Sequence, residues 1–220
     1  MKRLLITILV AIVSLAAMPT QSASTAKKTL TRVQALQALN LPVPEKRGEA
    51  VIRLGEIGNM LDAPKLVSRL SDDYPVIRQL TEAALWQIWS RSGDVATDAL
   101  YAKGVELMSV GKFDEALAVF TDIIKSKPAF AEAWNKRATV HFMMGQFEPS
   151  MKDCDEVLKR NPYHFGALSG YAQMYARQGN PELALEYYER ALRVHPYLNG
   201  AQETLLMLRK QAEQRRKGMI

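Results

Sequence analysis

The sequence predicts an all-α protein built as a solenoid of helical hairpins, on three observations. Pro128, Pro162 and Pro196 stand 34 residues apart, and Gly111, Gly145 and Gly179 keep the same spacing. Small residues recur in two further registers of that period: Gly104 with Ala138 and Ala172, and Ala116 with Ser150 and Ala184. On either side of each of the three glycines, apolar residues return at helical spacing, as in ALYAKGVELMSVGKFDEALAVFTDIIKSKP. A fixed period of this length marks a repeat architecture, in which no unit buries its apolar face alone.

At the amino terminus, Lys2 and Arg3 precede an apolar run from Leu4 to Ala17, and Pro19 to Ala23 form a small, polar exit. This is the layout of an export signal over residues 1–23. The run of roughly fourteen residues falls short of the roughly 20 that a spanning helix needs. Cleavage near Ala23 is therefore expected, with Ser22 and Ala26 as other ends; an uncleaved helix would leave a membrane tether instead. Residues 24–44 read as a flexible leader followed by a short helix around Thr31 to Leu39.

Residues 45–92 repeat more loosely. Arg47, Leu54 and Ile57 return 31 residues later as Arg78, Leu85 and Ile88. With an acidic turn at Asp72 and Asp73 ahead of PVIR, the segment resembles short HEAT-like helical repeats. Trp86 and Trp89, just ahead of the next helical array, are expected in a core between the two parts. A short joint at Ser90 to Asp94 would let both parts stack as one continuous solenoid.

Residues 97–196 divide into units 97–128, 131–162 and 165–196. Each should be a helix, a tight turn and a second, antiparallel helix. Gly104 and Ala116 leave room where the two helices of the first unit cross. Gly111, Gly145 and Gly179 suit a left-handed helix cap. Pro149 and Pro181 fall at or near the start of second helices, where a missing amide donor costs little. Residues 199–217 complete the stack: Ala201 to Arg216 carries Leu205, Leu206 and Leu208 on its apolar side and is expected to cap the last unit.

With these registers in place, the second half of the chain resembles the tetratricopeptide repeat family. Trp134 occupies the family's tryptophan position in the second unit, while Leu100 and Leu168 stand there in the others, and Cys154 replaces the aromatic seen at Phe120 and Tyr188. The resemblance implies a right-handed solenoid whose first helices line a concave groove for another protein or a peptide segment. It directs Tyr101, Val105 and Met108 of the first unit to that groove, then Asn135, Thr139, Phe142 and Met143 of the second, and Ser169, Gln173 and Arg177 of the third. Glu132 and Gly166 belong to the same register. The carboxylate clamp that grips acidic chaperone tails needs lysine, arginine and asparagine where this chain has Tyr101, Val105, Lys136, Gly166 and Gly170, so that mode is not expected.

The formal charge of +6 lies at the ends. Residues 45–92 hold seven basic and seven acidic side chains, and residues 97–196 hold twelve and thirteen. A nucleic-acid groove would need a basic face, so nucleic acid is not an expected partner; the basic ends suit weak contact with anionic lipid. Phosphate loops, paired metal histidines and a glycine-flanked nucleophilic serine are missing from the sequence, and His141, His164 and His195 lie apart. The expectation is a non-enzymatic adaptor, without cofactor or metal, in the bacterial periplasm or cell envelope. A membrane-tethered structural spacer is the other reading.

Overall fold

The structure, a computed structural model, describes residues 29–218; the expected export signal lies outside them. The described residues form helices joined by short turns, with no strand among them. The first helix, α1 (Arg32–Ala38), opens with a capping box in which Thr31 and Gln34 exchange hydrogen bonds. This satisfies amide donors that a helix start leaves unpaired. The helices α2 (Pro44–Ile57) and α4 (Pro75–Trp89) each begin on a proline, and α3 (Ala63–Val67) with a 3-10 turn at Ser68–Ser71 links them.

The helices α2 and α4 cross at Gly55, where an added Cβ would stand 3.2 Å from that of Ala84. Leu54, Leu66, Leu70, Ile77, Leu85 and Ile88 fill the core around this crossing. Buried polar contacts fasten its ends. Arg47 grips Asp72 with two hydrogen bonds of 2.8 and 2.9 Å and also reaches the carbonyls of Leu41 and Pro42. Arg91 donates to the carbonyls of Gly55, Glu56 and Gly58, supplying partners to the end of α2.

The three hairpins follow as α5 (Val95–Ser109) with α6 (Phe113–Ser126), α7 (Ala131–Met143) with α8 (Phe147–Arg160), and α9 (Phe165–Arg177) with α10 (Pro181–Val194). Gly111, Gly145 and Gly179 carry φ of 76°, 75° and 70°, the left-handed region that a side chain disfavours, and end the first helix of each pair. At Gly104 an added Cβ would meet the Phe120 ring at 2.7 Å, so the small residue sets the approach of α5 and α6. Each second helix stops two residues before its proline. The last helix, α11 (Ala201–Arg216), buries Leu208 and Ala212 against the third hairpin and matches the expected cap. Arg209 and Arg215 of this tail reach Glu189 and Glu182 of α10 across the surface.

The amino-terminal helices do not extend the stack as one more layer. They lie across the edge where the inter-repeat turns emerge. Trp86 packs edge-on to Phe165, and Trp89 stacks on His164 at 4.6 Å. Glu82 meets His195 at 3.2 Å, and the Arg78 guanidinium sits 3.9 Å above the Tyr197 ring. The expected place of the tryptophans between the two parts is found, but the contact runs to the third repeat and the turns on either side of it, and to Lys136 of the second. The reason is chemical: those turns present aromatic and imidazole rings that match the indoles of α4.

Candidate functional site

The first helices α5, α7 and α9 stand side by side, and the groove is built between them. Behind α7, Arg137 makes a two-pronged pair with Asp153 of α8 at 2.7 and 2.8 Å and donates to the Thr121 hydroxyl of α6. Ser150 donates to the carbonyl of Ala138. These contacts hold α7 against the second helices and leave its other face open.

Between α7 and α9 lies a hollow of about 270 Å³. Its lining gathers Asn135, Thr139, Phe142, Met143 and Gln173 from the predicted set, and Gly166 with Gly170 forms part of its wall. No charged residue lines it. Met143 is 51% exposed at the rim, whereas Asn135 is 8% exposed at the floor. The Arg177 guanidinium lies 4.6 Å over the Phe142 ring, so these two predicted residues meet across the mouth. A second hollow of about 340 Å³, between α9 and α11, shares Gln173 with the first and adds Ser169, Leu198 and Met207.

The first unit contributes less open surface. Tyr101 is 8% exposed and packs its ring on Phe120 and Phe130, while Val105 and Met108 are half-buried against the same core. Burial pushes the Tyr101 phenol well above its ordinary pKa, and the nearby Glu132 carboxylate adds to the shift.

Glu132 and Gly166, groove positions by register, serve the joint with α4 as well. Glu132 is buried, and its carboxylate accepts from Asn135 Nδ2 at 2.9 Å and lies 3.3 Å from the Lys136 ammonium. The Nδ1 atom of His164 accepts the Ala167 amide at 3.0 Å, so its Nε2–H donates to Glu132 at 2.9 Å. Burial works against the Glu132 charge, but His164, Lys136 and Asn135 outweigh it and hold its pKa below the ordinary value. At Gly166, an added Cβ would meet the Trp86 ring at 2.8 Å. The sequence marked neither the Glu132–His164 pair nor this close approach. Their one signal is that Glu132 and His164 sit at the same ends of successive first helices.

Models of the tetratricopeptide repeat family match residues 101–148 and 165–198. The pairs of helices, the left-handed glycines and the matched residues agree. This is a tetratricopeptide repeat protein. The array is similar to the first tetratricopeptide domain of Spaghetti (RPAP3), solved bound to the HSP90 peptide SRMEEVD: 24% identity over 53% of this chain and 93% of that one, TM-score 0.51. It is similar to the Sgt2 domain of Aspergillus fumigatus, at 19% identity over 58% and 85%, TM-score 0.54. The yeast Sti1 TPR2B domain, solved as a complex with pHsp70, gives 19% identity over 55% and 99%, TM-score 0.50. These likenesses establish the fold of the tetratricopeptide array. No curated protein sequence matches the chain significantly.

Among the described residues, this tetratricopeptide repeat protein groups no three side chains that could hold a metal ion, and no helix is long and apolar enough to cross a membrane. Cys154 lines the hollow between α7 and α9 but is buried, and that burial, helped by Asp153 and Asp155, pushes its thiol up to about 12.

Proposed function

We propose that the protein is a non-enzymatic scaffold of the bacterial periplasm or cell envelope that holds a segment of a partner protein in its tetratricopeptide groove. The observation that carries this reading is the uncharged hollow between α7 and α9, which gathers half of the predicted contact residues at one place. Phe142 and the flexible Met143 offer an apolar seat, while Gln173 and Thr139 offer hydrogen bonds to a peptide backbone. The segment that suits this lining carries apolar anchors rather than an acidic tail. Lys136, which stands at a clamp position where asparagine is expected, is already engaged by Glu132. The export-signal layout of the first residues supports the compartment.

The test is affinity capture from envelope extract of the native cell, comparing the protein with a Met143→Glu, Gln173→Glu variant. Both side chains are exposed, so the variant should keep its helical circular dichroism. Loss of a specific protein partner by the variant is the expected result. An unchanged captured set would remove the groove as the working surface.

A further inference from the structure

The two ends of the tetratricopeptide array are finished differently. At the far end, α11 packs on the third hairpin and turns mainly charged residues outward, among them Arg209, Lys210, Glu213 and Arg216, as an array end in water requires. At the near end, the amino-terminal helices lie across the inter-repeat turns, and the outer side of α5 is left uncovered. The 34-residue register shows what that side does in the other units. Arg137 reaches the Thr121 hydroxyl of α6, and Tyr171 donates to the Met151 carbonyl of α8, so this register faces the second helix of the unit before. The registers beside it are buried there: Ala133 and Val140 in the second unit, Ala167 and Met174 in the third.

In the first unit the same places hold Ala99, Lys103 and Glu106, all exposed. Beside them Leu100 is 47% exposed, where Leu168 of the third unit is 3% exposed, and Val110 at the end of the stripe is 64% exposed. Apart from Lys103 and Glu106, the outer side of α5 is thus apolar like its inner side, and a helix apolar all round is one that a further surface covers. The charges say which surface. Of the three charged residues of α5, Asp98 accepts from Ser92, whereas Lys103 and Glu106 form no hydrogen bond or ion pair through their side chains among the described residues. Elsewhere on this hairpin Lys112 pairs with Glu115 and Lys125 with Asp122. Opposite charges one turn apart, about the middle of an exposed stripe, make that stripe complementary to itself in the antiparallel sense. Two copies laid so about a two-fold axis set Lys103 against Glu106 of the second copy, Ala99 against its Val110 and Leu100 beside its Leu107. The far end of another copy fits worse, because the basic α11 would repel Lys103.

We propose that the protein forms a two-fold symmetric dimer in which α5 packs antiparallel on α5 of a second copy. The face is one helix about 22 Å long. That is at the small end of specific interfaces, so dissociation in the micromolar range is expected. The dimer goes beyond the groove reading and does not rest on it, since no residue of this face lines the hollow between α7 and α9.

Sedimentation velocity of the purified protein across about 1–300 µM tests it. A concentration-dependent passage from monomer to dimer, with no larger species, is expected. Lys103→Glu sets carboxylates against each other and Glu106→Lys sets ammonium groups against each other, so each should weaken the dimer about tenfold or more. Both side chains are exposed, and the helical circular dichroism of each variant should match that of the native protein. Mixed in equal amounts, the two variants should form a mixed dimer at least as tight as the native one, because every charge then meets its opposite. Lys152→Glu, on α8, should leave the dimer unchanged. A monomer at every concentration, an open-ended series of larger species, single variants that dimerise as the native protein does, or a mixture that stays monomeric would overturn the proposal and leave the groove reading untouched.

Discussion

The two halves of the molecule are both helical, but they are held together differently. In the tetratricopeptide array, each unit repeats the same solution: a small residue where helices cross, a left-handed glycine, and apolar side chains filling around them. The amino-terminal segment repeats only loosely, in the return of Arg47, Leu54 and Ile57 as Arg78, Leu85 and Ile88. It adds specific polar clasps, with Arg47 on Asp72, Arg32 on Asp62 and Arg91 on the end of α2. A repeat can therefore be built from recurring smallness, while a segment that must seat on an edge needs side chains of defined reach. The joint between them combines both, since Trp86 can approach only because Gly166 has no side chain.

If that contrast is right, the largest loss should come from the joint's charge. Glu132→Ala leaves the His164 Nε2–H and the Asn135 amide facing an empty position, and should cost about 3–5 kcal/mol in urea unfolding. Next, Gly166→Ala should cost about 1–3 kcal/mol by forcing the Trp86 ring away, and differential scanning calorimetry should show the amino-terminal helices loosening first. One turn along, Gly170→Ala meets only the Cys154 sulfur at 3.8 Å, an ordinary contact. It should stabilise the protein by about 0.5–1 kcal/mol, so two neighbouring glycines carry opposite signs.

Acid should affect both halves. Hydrogen bonds from Arg47 hold Asp72 below its ordinary 3.8 despite burial, and Glu132 stands below its ordinary 4.5. A carboxylate with a lowered folded pKa contributes stability that is fully present above its unfolded value. That contribution should therefore be intact above pH 4.5 and lost as pH falls through the folded values, as acid titration followed by circular dichroism would show. The smallest effect concerns Cys154: the folded protein should resist thiol reagents at neutral pH and react once unfolded.

Much of the array was legible because its signals are local and repeated. The 34-residue registers of glycine and proline placed the three hairpins, and the leucines near Leu208 placed α11. The short helix after Thr31 was legible from the same kind of pattern. The docking of α4 on the third repeat was not, since it joins residues such as Glu82 and His195 that are far apart in sequence and follow no period. Of the groove, the register named side chains but not their depth. Whether Tyr101 is surface or core depends on how closely Phe120 and Phe130 approach it, and that is settled only by packing.

The central claim is that a partner segment lies against α7 and α9, and site-specific photo-crosslinking tests it most directly. Benzoylphenylalanine would replace Met143 or Gln173 in the groove, and Lys152 on α8 for comparison, in the native cell. The account predicts one partner crosslinked from positions 143 and 173 and none from 152. A partner crosslinked from 152 and from neither groove position would contradict it.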